Sequence, residues 1–291
     1  MVIPCTAFGQ ATIKKITKGK GLSFHHHLME PQGNIHGILL LLPSLGEKPG
    51  AVLQKTNLPA LAAENGFLTI IPDLGKNLFS DEEINTNLSE LVHTYFVKYD
   101  LKELRLIVGG FSRGGAISLR YAEHLIASNS PVKLKGVFAI DPALDLKRLY
   151  FSSLNKIKYD CSDLIKKEGF LNKRILEEKL GGTPERNGEN YVKYSVYSAQ
   201  SDSGGNAKYL KNLPVRLYSE PDLAYVRKTY CDKLEEVDIN AFDLQRLNTL
   251  LLNLGNTQCE YITTTGKGFH SWNILDSKNC VEWILQISKW L

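Results

Sequence analysis

Ser112 is the residue of this sequence whose setting most clearly suggests chemistry, since it lies in the pentapeptide GFSRG at residues 110–114. The apolar run at residues 104–109 predicts a buried strand before it, and residues 115–122 predict a helix after it. On so sharp a strand-to-helix turn a serine hydroxyl is exposed above the sheet, and small flanking residues allow strand and helix to approach closely. The helix also directs its positive N-terminal end toward negative charge beside the serine. The pattern therefore predicts a nucleophilic serine.

A serine hydroxyl is a weak nucleophile near neutral pH and needs a base that accepts its proton. Of the seven histidines, His270 alone follows the last predicted strand, in a loop with glycines at residues 266–272. The triplet at residues 25–27 lies far upstream, without the acidic partners of a metal site. His93 and His124 lie on predicted helices, where a surface or core histidine is expected. We therefore expect His270 to be the general base.

The acid that holds the imidazole should follow a strand between the serine and the histidine in the chain. Two carboxylates, Asp222 and Glu220, follow the strand predicted at residues 214–218. We prefer Asp222, because the chain has cleared the strand there and can turn toward His270. Glu220 is the alternative acid. Asp141 is the third candidate, since it ends another predicted strand, although an aspartate before a proline commonly bonds to its own turn.

Acyl transfer also needs hydrogen-bond donors for the developing oxyanion. We expect the backbone N–H of Arg113, directly after the serine, to be one donor. The other should come from the loop after the strand that ends at Leu42. Because Pro43 has no N–H, Ser44 or Leu45 must donate, and we prefer Leu45. An ordinary turn before a helix is the alternative interpretation of this loop.

The elements that position these residues alternate between strands and helices, which predicts an α/β protein with a mostly parallel sheet. One or two strands are predicted at residues 11–30, and further strands at 36–42, 67–71, 104–109, 134–140, 214–218 and 259–264. Helices are predicted at 52–65, 80–99, 115–122, 240–254 and 277–291. The alternation stops near residue 145 and resumes near 213, and sixty-odd residues are too many for a bare connection. We therefore expect a core of residues 11–145 and 213–291 with an inserted cap at 146–212.

Composition argues against several classes of partner. The net charge is +4 with scattered basic residues, which does not predict a nucleic-acid patch. No apolar run in the sequence is long enough to span a membrane. The sequence contains no metal-ligand spacing, phosphate-binding loop or dinucleotide fingerprint, so we predict no cofactor and no metal. The expected partner is a small acyl substrate, and the oligomeric state stays open.

Residues 1–10 are apolar, then small, and a charged segment follows. Two interpretations stay open: the end of a secretory signal peptide, which implies a periplasmic or secreted protein, and a disordered N-terminus, which leaves a cytoplasmic one. If Cys5 is lost with a leader, four cysteines remain. Their wide spacing matches neither zinc pairs nor a dense disulfide scaffold, so we expect four buried, reduced thiols.

Taken together, four segments resemble those of the α/β-hydrolase family, and the resemblance covers nearly all of the chain. They are Leu42–Gly46 at the oxyanion loop, Gly110–Gly115 at the serine turn, Glu220–Asp222 at the acid and Gly268–Trp272 at the base. The Tyr-x-Glu-Pro-Asp segment and the His-Ser-Trp end also resemble a group of bacterial α/β hydrolases. The resemblance implies an eight-stranded, mostly parallel sheet with helices on both faces, and acyl hydrolysis through an acyl-serine intermediate. Many members carry His-Gly in the oxyanion loop, where this chain has Pro-Ser.

The predicted function is that of a serine esterase, in which Ser112 attacks an acyl carbon, His270 transfers the proton and Asp222 holds the imidazole. A peptidase, thioesterase or acyltransferase would use the same machinery, because the cap forms the acyl and leaving-group pockets. A non-catalytic binding protein is the other alternative, against which the complete set of three residues argues. We expect the Arg113 side chain to pack into the local structure or to point away, the alternative being an anchor for a substrate carboxylate.

Overall fold

A single eight-stranded sheet forms the centre of the protein in the computed structural model, which describes residues 11–17, 24–101 and 105–288. Its strands are β1 (Thr12–Ile16), β2 (His26–Glu30), β3 (Gly37–Leu42), β4 (Phe67–Pro72), β5 (Arg105–Phe111), β6 (Lys133–Ile140), β7 (Val215–Ser219) and β8 (Cys259–Thr263). Their order across the sheet is β1-β2-β4-β3-β5-β6-β7-β8. The pairs β1–β2 and β2–β4 are antiparallel and all the others are parallel. The predicted mostly parallel α/β sheet is confirmed, while residues 1–10 lie outside the described residues.

Ten α-helices connect or follow these strands in the described ranges. They are α1 (Pro49–Lys55), α2 (Leu58–Glu64), α3 (Glu82–Lys98), α4 (Arg113–Ala127), α5 (Leu146–Tyr159), α6 (Asp163–Leu180), α7 (Pro184–Tyr194), α8 (Leu223–Thr229), α9 (Ala241–Asn253) and α10 (Ser277–Ser288). The single helix predicted at residues 52–65 is thus two helices, with Pro59 in the first turn of α2. The chain becomes extended at Thr56, after α1, and Pro59 occupies the first turn of α2, where a missing N–H costs no helical hydrogen bond.

The alternating side chains of β3 show why the sheet is covered on both faces. Ile38, Leu40 and Leu42 pack into one apolar cluster with α3, α4 and α9. Leu39 and Leu41 pack on the opposite face with α1, α2 and α10. Successive residues of a strand point to opposite faces, so a run of six buried residues requires helices on both sides. Among the helices described here, none has both the length and the apolar composition needed to cross a bilayer.

Three helices, α5 to α7, and a 3-10 segment at Gly205–Asn212 lie between β6 and β7, in the part of the chain predicted as an insertion. A buried ion pair attaches this part to the core. The Arg148 guanidinium of α5 donates to both carboxylate oxygens of Asp243 on α9, at 3.0 and 2.5 Å. Asp243 also accepts from the N–H groups of Leu144 and Asp145. These additional bonds offset the cost of burying the two charges.

A second segment, residues 223–240, packs against α5 and α6, although the sequence placed it with the core. Val226 and Leu234 share an apolar cluster with Ile165 of α6. A disulfide between Cys161 and Cys231 joins the two segments. The expectation of four reduced thiols is therefore wrong for this pair, whose Cα atoms are 5.2 Å apart despite a sequence separation of 70. The other two, Cys259 and Cys280, are buried free thiols.

Candidate active site

Ser112 occupies the turn between β5 and α4, as the sequence predicts, in a strained backbone conformation. Its φ and ψ angles are 54° and −124°, outside the regions that non-glycine residues favour. Its N–H donates to the Ile140 carbonyl oxygen at 2.7 Å. A Cβ atom on Gly110 would lie 2.5 Å from the backbone of Gly114, and one on Gly114 would overlap the Leu42 carbonyl oxygen. Glycine at these two positions is what allows α4 to begin so close to the sheet.

His270 lies in the loop after β8, and its ring reaches Ser112. The distance from His270 Nε2 to Ser112 Oγ is 2.9 Å, across a sequence separation of 158. The ring also packs against Phe111, with ring centroids 4.7 Å apart. A neutral imidazole in this position can accept the serine proton through Nε2.

Asp141 supplies the carboxylate on the other side of the ring. Its Oδ2 atom lies 2.6 Å from His270 Nδ1, and the Asp141 side chain is only 3% exposed. The residue follows β6 directly, and its backbone is held by hydrogen bonds with the Tyr218 carbonyl oxygen and the Asn240 side chain. An N–H on Nδ1 that donates to this carboxylate leaves Nε2 free to accept from the serine.

Asp222, the preferred acid from the sequence, has a different contact. Its side chain accepts from the Tyr225 N–H at 2.8 Å and caps the N-terminus of α8. The chain does clear β7 at this residue, but it then enters a helix, and aspartate is a favoured capping residue. These contacts make Asp141, which the sequence ranked third, the candidate acid in place of Asp222.

Glu220, the alternative acid, is 3% exposed and bonds to the loop rather than to the imidazole. It accepts from the N–H groups of Lys267, Gly268 and Phe269 and from the Thr264 hydroxyl. Burial opposes ionisation of this carboxyl group, yet these hydrogen bonds together hold its pKa below the usual value.

The loop after β3 offers one oxyanion donor by elimination. The N–H of Ser44 is occupied, because it donates to Glu47 Oε2 at 3.0 Å. Leu45 is therefore the remaining candidate of the two, and it lines the same cavity as Ser112. The N–H of Arg113 lies in the first turn of α4, where backbone donors lack helical acceptors. Sequence reasoning missed Glu47, which also accepts from the Trp272 indole at 3.2 Å and so links this loop to the segment after the base.

The Arg113 guanidinium binds two loops. It donates to the carbonyl oxygens of Gly75 and Asn77 after β4, at 3.1 and 2.6 Å, and to those of Ser44 and Pro43 after β3, at 2.7 and 3.4 Å. Burial lowers the pKa of Arg113 to about 10. The side chain thus packs locally, since its two terminal nitrogens donate to backbone carbonyls rather than to a substrate carboxylate.

A cavity of about 410 Å³ opens beside Ser112 and His270. Its apolar lining comes from Leu45, Leu164, Ile165, Val226, Leu234, Ile239 and Phe269. An ion pair between Lys156 Nζ and Glu168 Oε1, at 2.9 Å, contributes a polar part of the wall. Helices α5 and α6 form one side and residues 223–240 the other, so the disulfide joins the two walls. Such a cavity suits a small molecule with an apolar group beside the bond at Ser112.

Comparison with known proteins identifies the architecture. No protein-family model matches the chain, and no curated protein matches its sequence. Among solved structures, carboxyl esterase 2 of the fungus Tuber melanosporum matches with a TM-score of 0.62, 14% identity, and coverage of 99% of this chain and 88% of its own. The S-formylglutathione hydrolase of Agrobacterium tumefaciens matches with a TM-score of 0.58, 12% identity and coverages of 97% and 96%. This chain has the α/β-hydrolase fold.

A third match agrees with this assignment. The fluorophosphonate-binding serine hydrolase F of Staphylococcus aureus has a TM-score of 0.53 and 12% identity, over 97% of this chain and all of its own. At such identities the likeness establishes the fold alone. The α/β-hydrolase fold brings the carboxyl ends of parallel strands to one edge of the sheet. Ser112 follows β5, Asp141 follows β6 and His270 lies in the loop after β8, so all three side chains meet at that edge.

Proposed function

We propose that this protein is a serine hydrolase that cleaves a carboxylic ester through an acyl-serine intermediate. Ser112 is the nucleophile, His270 the general base, and Asp141, in place of Asp222, the acid. One observation carries the proposal: the continuous hydrogen-bonded chain of 2.9 Å from Ser112 to His270 and 2.6 Å from His270 to Asp141, beside an apolar cavity. The names of fold neighbours, among them a carboxyl esterase, support the ester as substrate.

The mechanism follows from the positions of these atoms. Ser112 Oγ attacks the acyl carbon while His270 Nε2 accepts its proton, and the Asp141 carboxylate stabilises the resulting imidazolium. The N–H groups of Arg113 and Leu45 bind the oxyanion of the tetrahedral intermediate. The intermediate then collapses, His270 returns the proton to the departing alcohol, and the acyl group stays on Ser112. A water molecule then attacks the acyl carbon while His270 accepts its proton, and His270 returns that proton to Ser112 Oγ as the bond to serine breaks and the carboxylic acid leaves.

We further propose that residues 146–212 form a cap over the site, with residues 223–240 as its second wall. The position of Lys156, Leu164 and Ile165 in the cavity lining supports this assignment. The apolar lining favours esters with an apolar acyl group over charged ones. A matched panel of acyl esters, thioesters and peptides with the same acyl group distinguishes an esterase from the other acyl-transfer enzymes.

Labelling with a fluorophosphonate probe tests the nucleophile directly. The folded wild-type protein should gain one probe adduct by intact mass, and peptide mapping should place it on Ser112. Ser112→Ala should remove both the adduct and ester hydrolysis. Ser128→Ala is the matched control, since Ser128 is an exposed serine at the other end of α4, and it should label like the wild type. A folded wild-type sample that takes no label, while a known serine hydrolase does, overturns the proposal.

A further inference from the structure

We propose that Glu220 is a positioning residue, whose buried carboxylate holds the loop that carries the general base. The inference rests on the proposed function, because it assigns Glu220 a role in supporting His270. The sequence suggests Glu220 only as an alternative acid, and in the structure Glu220 has no hydrogen bond with the imidazole. The positioning role is therefore a separate assignment.

The contacts of Glu220 concentrate on one stretch of backbone. Oε2 accepts from the Lys267 N–H at 2.7 Å and from the Thr264 hydroxyl at 3.0 Å. Oε1 accepts from the N–H groups of Gly268 and Phe269 at 3.2 and 3.0 Å. Three consecutive N–H groups that converge on one anion form a nest, a backbone concavity that binds anions. The loop is thus folded around this carboxylate.

The backbone of the loop explains why it needs such support. Gly266 and Gly268 have φ angles of 70° and 105°, which glycine adopts at little cost. Phe269 has a φ angle of 56°, which is unfavourable for a bulky residue. Its N–H is one of the groups bound by Glu220. Because Phe269 directly precedes His270, a relaxation of this strained angle would swing the imidazole away from Ser112.

Glu220 can hold the loop because the sheet holds Glu220. The residue directly follows β7, and its backbone oxygen accepts from the Asp222 N–H at 2.9 Å. The Thr264 N–H donates to the Ser219 oxygen at 3.0 Å, which continues the pairing of β7 with β8 up to the loop. Both oxygens of the carboxylate are needed as acceptors. A glutamine at this position would replace one of them with an NH₂ group, which would face backbone N–H donors.

A positioning role predicts a loss in turnover rather than in binding. Glu220 does not line the cavity beside Ser112, and of the loop that it holds only Phe269 and His270 do, so most contacts with the substrate should remain. Misplacement of a reacting group by about 1 Å costs about 100-fold in rate. We therefore expect Glu220→Gln to lower kcat by about 30- to 100-fold, with KM changed by less than about threefold.

The experiment compares Glu220→Gln with Asp222→Asn, a carboxylate two residues along that caps α8 and can be replaced by another capping residue. Three quantities are measured on full-length folded protein: kcat and KM for an apolar acyl ester, the rate of fluorophosphonate labelling, and the far-downfield proton resonance of the His270–Asp141 hydrogen bond. Glu220→Gln should lower kcat and the labelling rate and should weaken or remove the resonance. Asp222→Asn should leave all three at wild-type values.

Each outcome separates this inference from the proposed function. Normal kcat and a normal downfield resonance in folded Glu220→Gln, with Ser112→Ala inactive, overturn the positioning role alone. A merely structural role would lower the melting temperature and leave these two quantities of the folded protein unchanged. If Glu220→Gln does not fold, Thr264→Val is tested instead, because it removes one of the four hydrogen-bond donors to Glu220. It should lower kcat about threefold, and an unchanged kcat in that variant also overturns the inference. Hydrolysis that survives Ser112→Ala contradicts the proposed function itself.

Discussion

Asp141 and His270 are separated by 129 positions in the chain, yet Oδ2 of one lies 2.6 Å from Nδ1 of the other. The aspartate directly follows a central strand and its side chain is almost fully buried, so the carboxylate is shielded from bulk water, while the imidazole that it contacts is 37% exposed. In the proposed mechanism this carboxylate both orients the ring and stabilises the positive charge that the ring acquires.

Replacement of this aspartate tests the assignment of the acid. Asp141→Asn should lower kcat about 10⁴-fold, because an asparagine amide favours the wrong tautomer of His270. KM should change little, because the substitution removes an interaction that acts on the imidazolium of the transition state rather than on the bound ester. Steady-state kinetics on both variants decides the question: Asp222→Asn should retain wild-type kcat, and the reverse result would return the role to Asp222.

The Arg113 side chain offers a test of the oxyanion loop. Arg113→Met leaves four carbonyl oxygens without their donor, and each unsatisfied buried group costs about 1–3 kcal/mol. We expect a lower urea midpoint and about a tenfold lower kcat, because the loop with Leu45 loses its attachment. Arg246→Met, at an exposed arginine of α9 whose guanidinium lies over the Phe242 ring, is the control and should leave kcat unchanged. A normal kcat in Arg113→Met would contradict the proposal that the Arg113 side chain holds the loop that contains Leu45.

The disulfide should contribute strongly to stability. Because Cys161 and Cys231 close a loop with a sequence separation of 70, the loop-entropy model gives about 4 kcal/mol at 25 °C. Cys161→Ser with Cys231→Ser should therefore lower the free energy of unfolding in urea by up to about this amount. A reductant should destabilise the wild type similarly and have no effect on the double variant. If the wild type and the double variant were equally stable without reductant, the result would contradict a disulfide between Cys161 and Cys231.

The carboxyl group of Glu220 predicts an acid dependence of stability. Its pKa in the folded protein is lowered, so its contribution is fully present above the pKa of the unfolded chain, about 4.3, and is lost as the pH falls through the lower folded value. The melting temperature of the wild type should therefore fall as the solution is acidified below about pH 4.3. Glu220→Gln, measured over the same range, should show a shallower fall. Parallel curves for the two proteins would contradict this source of acid sensitivity.

The size of the cavity predicts a preference among acyl chains. Leu164 lies at its rim and is 64% exposed, so Leu164→Trp narrows the entrance without disturbing a packed core. Hydrolysis of octanoyl esters should fall at least about fivefold in kcat/KM, whereas hydrolysis of acetyl esters should stay constant. Leu171→Trp, on the same helix but against a different surface groove, is the matched control. Equal losses for both chain lengths would argue against an acyl group in this cavity.

Much of this arrangement follows from local sequence. Apolar runs between turn residues predict the strands, and the glycines around Ser112 predict the sharp turn, because both depend on neighbours in the chain. The same holds for His270, which follows the last strand in a loop with glycines. These features depend only on residues that are close in the chain, so they can be predicted without knowing which strands are adjacent in the sheet.

The sequence by itself therefore determined the α/β alternation, the turn at Ser112 and the placement of His270 on a loop after the last strand. Only the tertiary structure decided which carboxylate meets the imidazole. Asp141, Glu220 and Asp222 all follow strands, but one faces the ring, one is enclosed by loop N–H groups and one caps a helix. The physical reason is that a side chain's partner depends on the order of strands across the sheet and on the turn after each strand. The pairing of Cys161 with Cys231 was decided in the same way, by two segments that are distant in the chain and packed together in space.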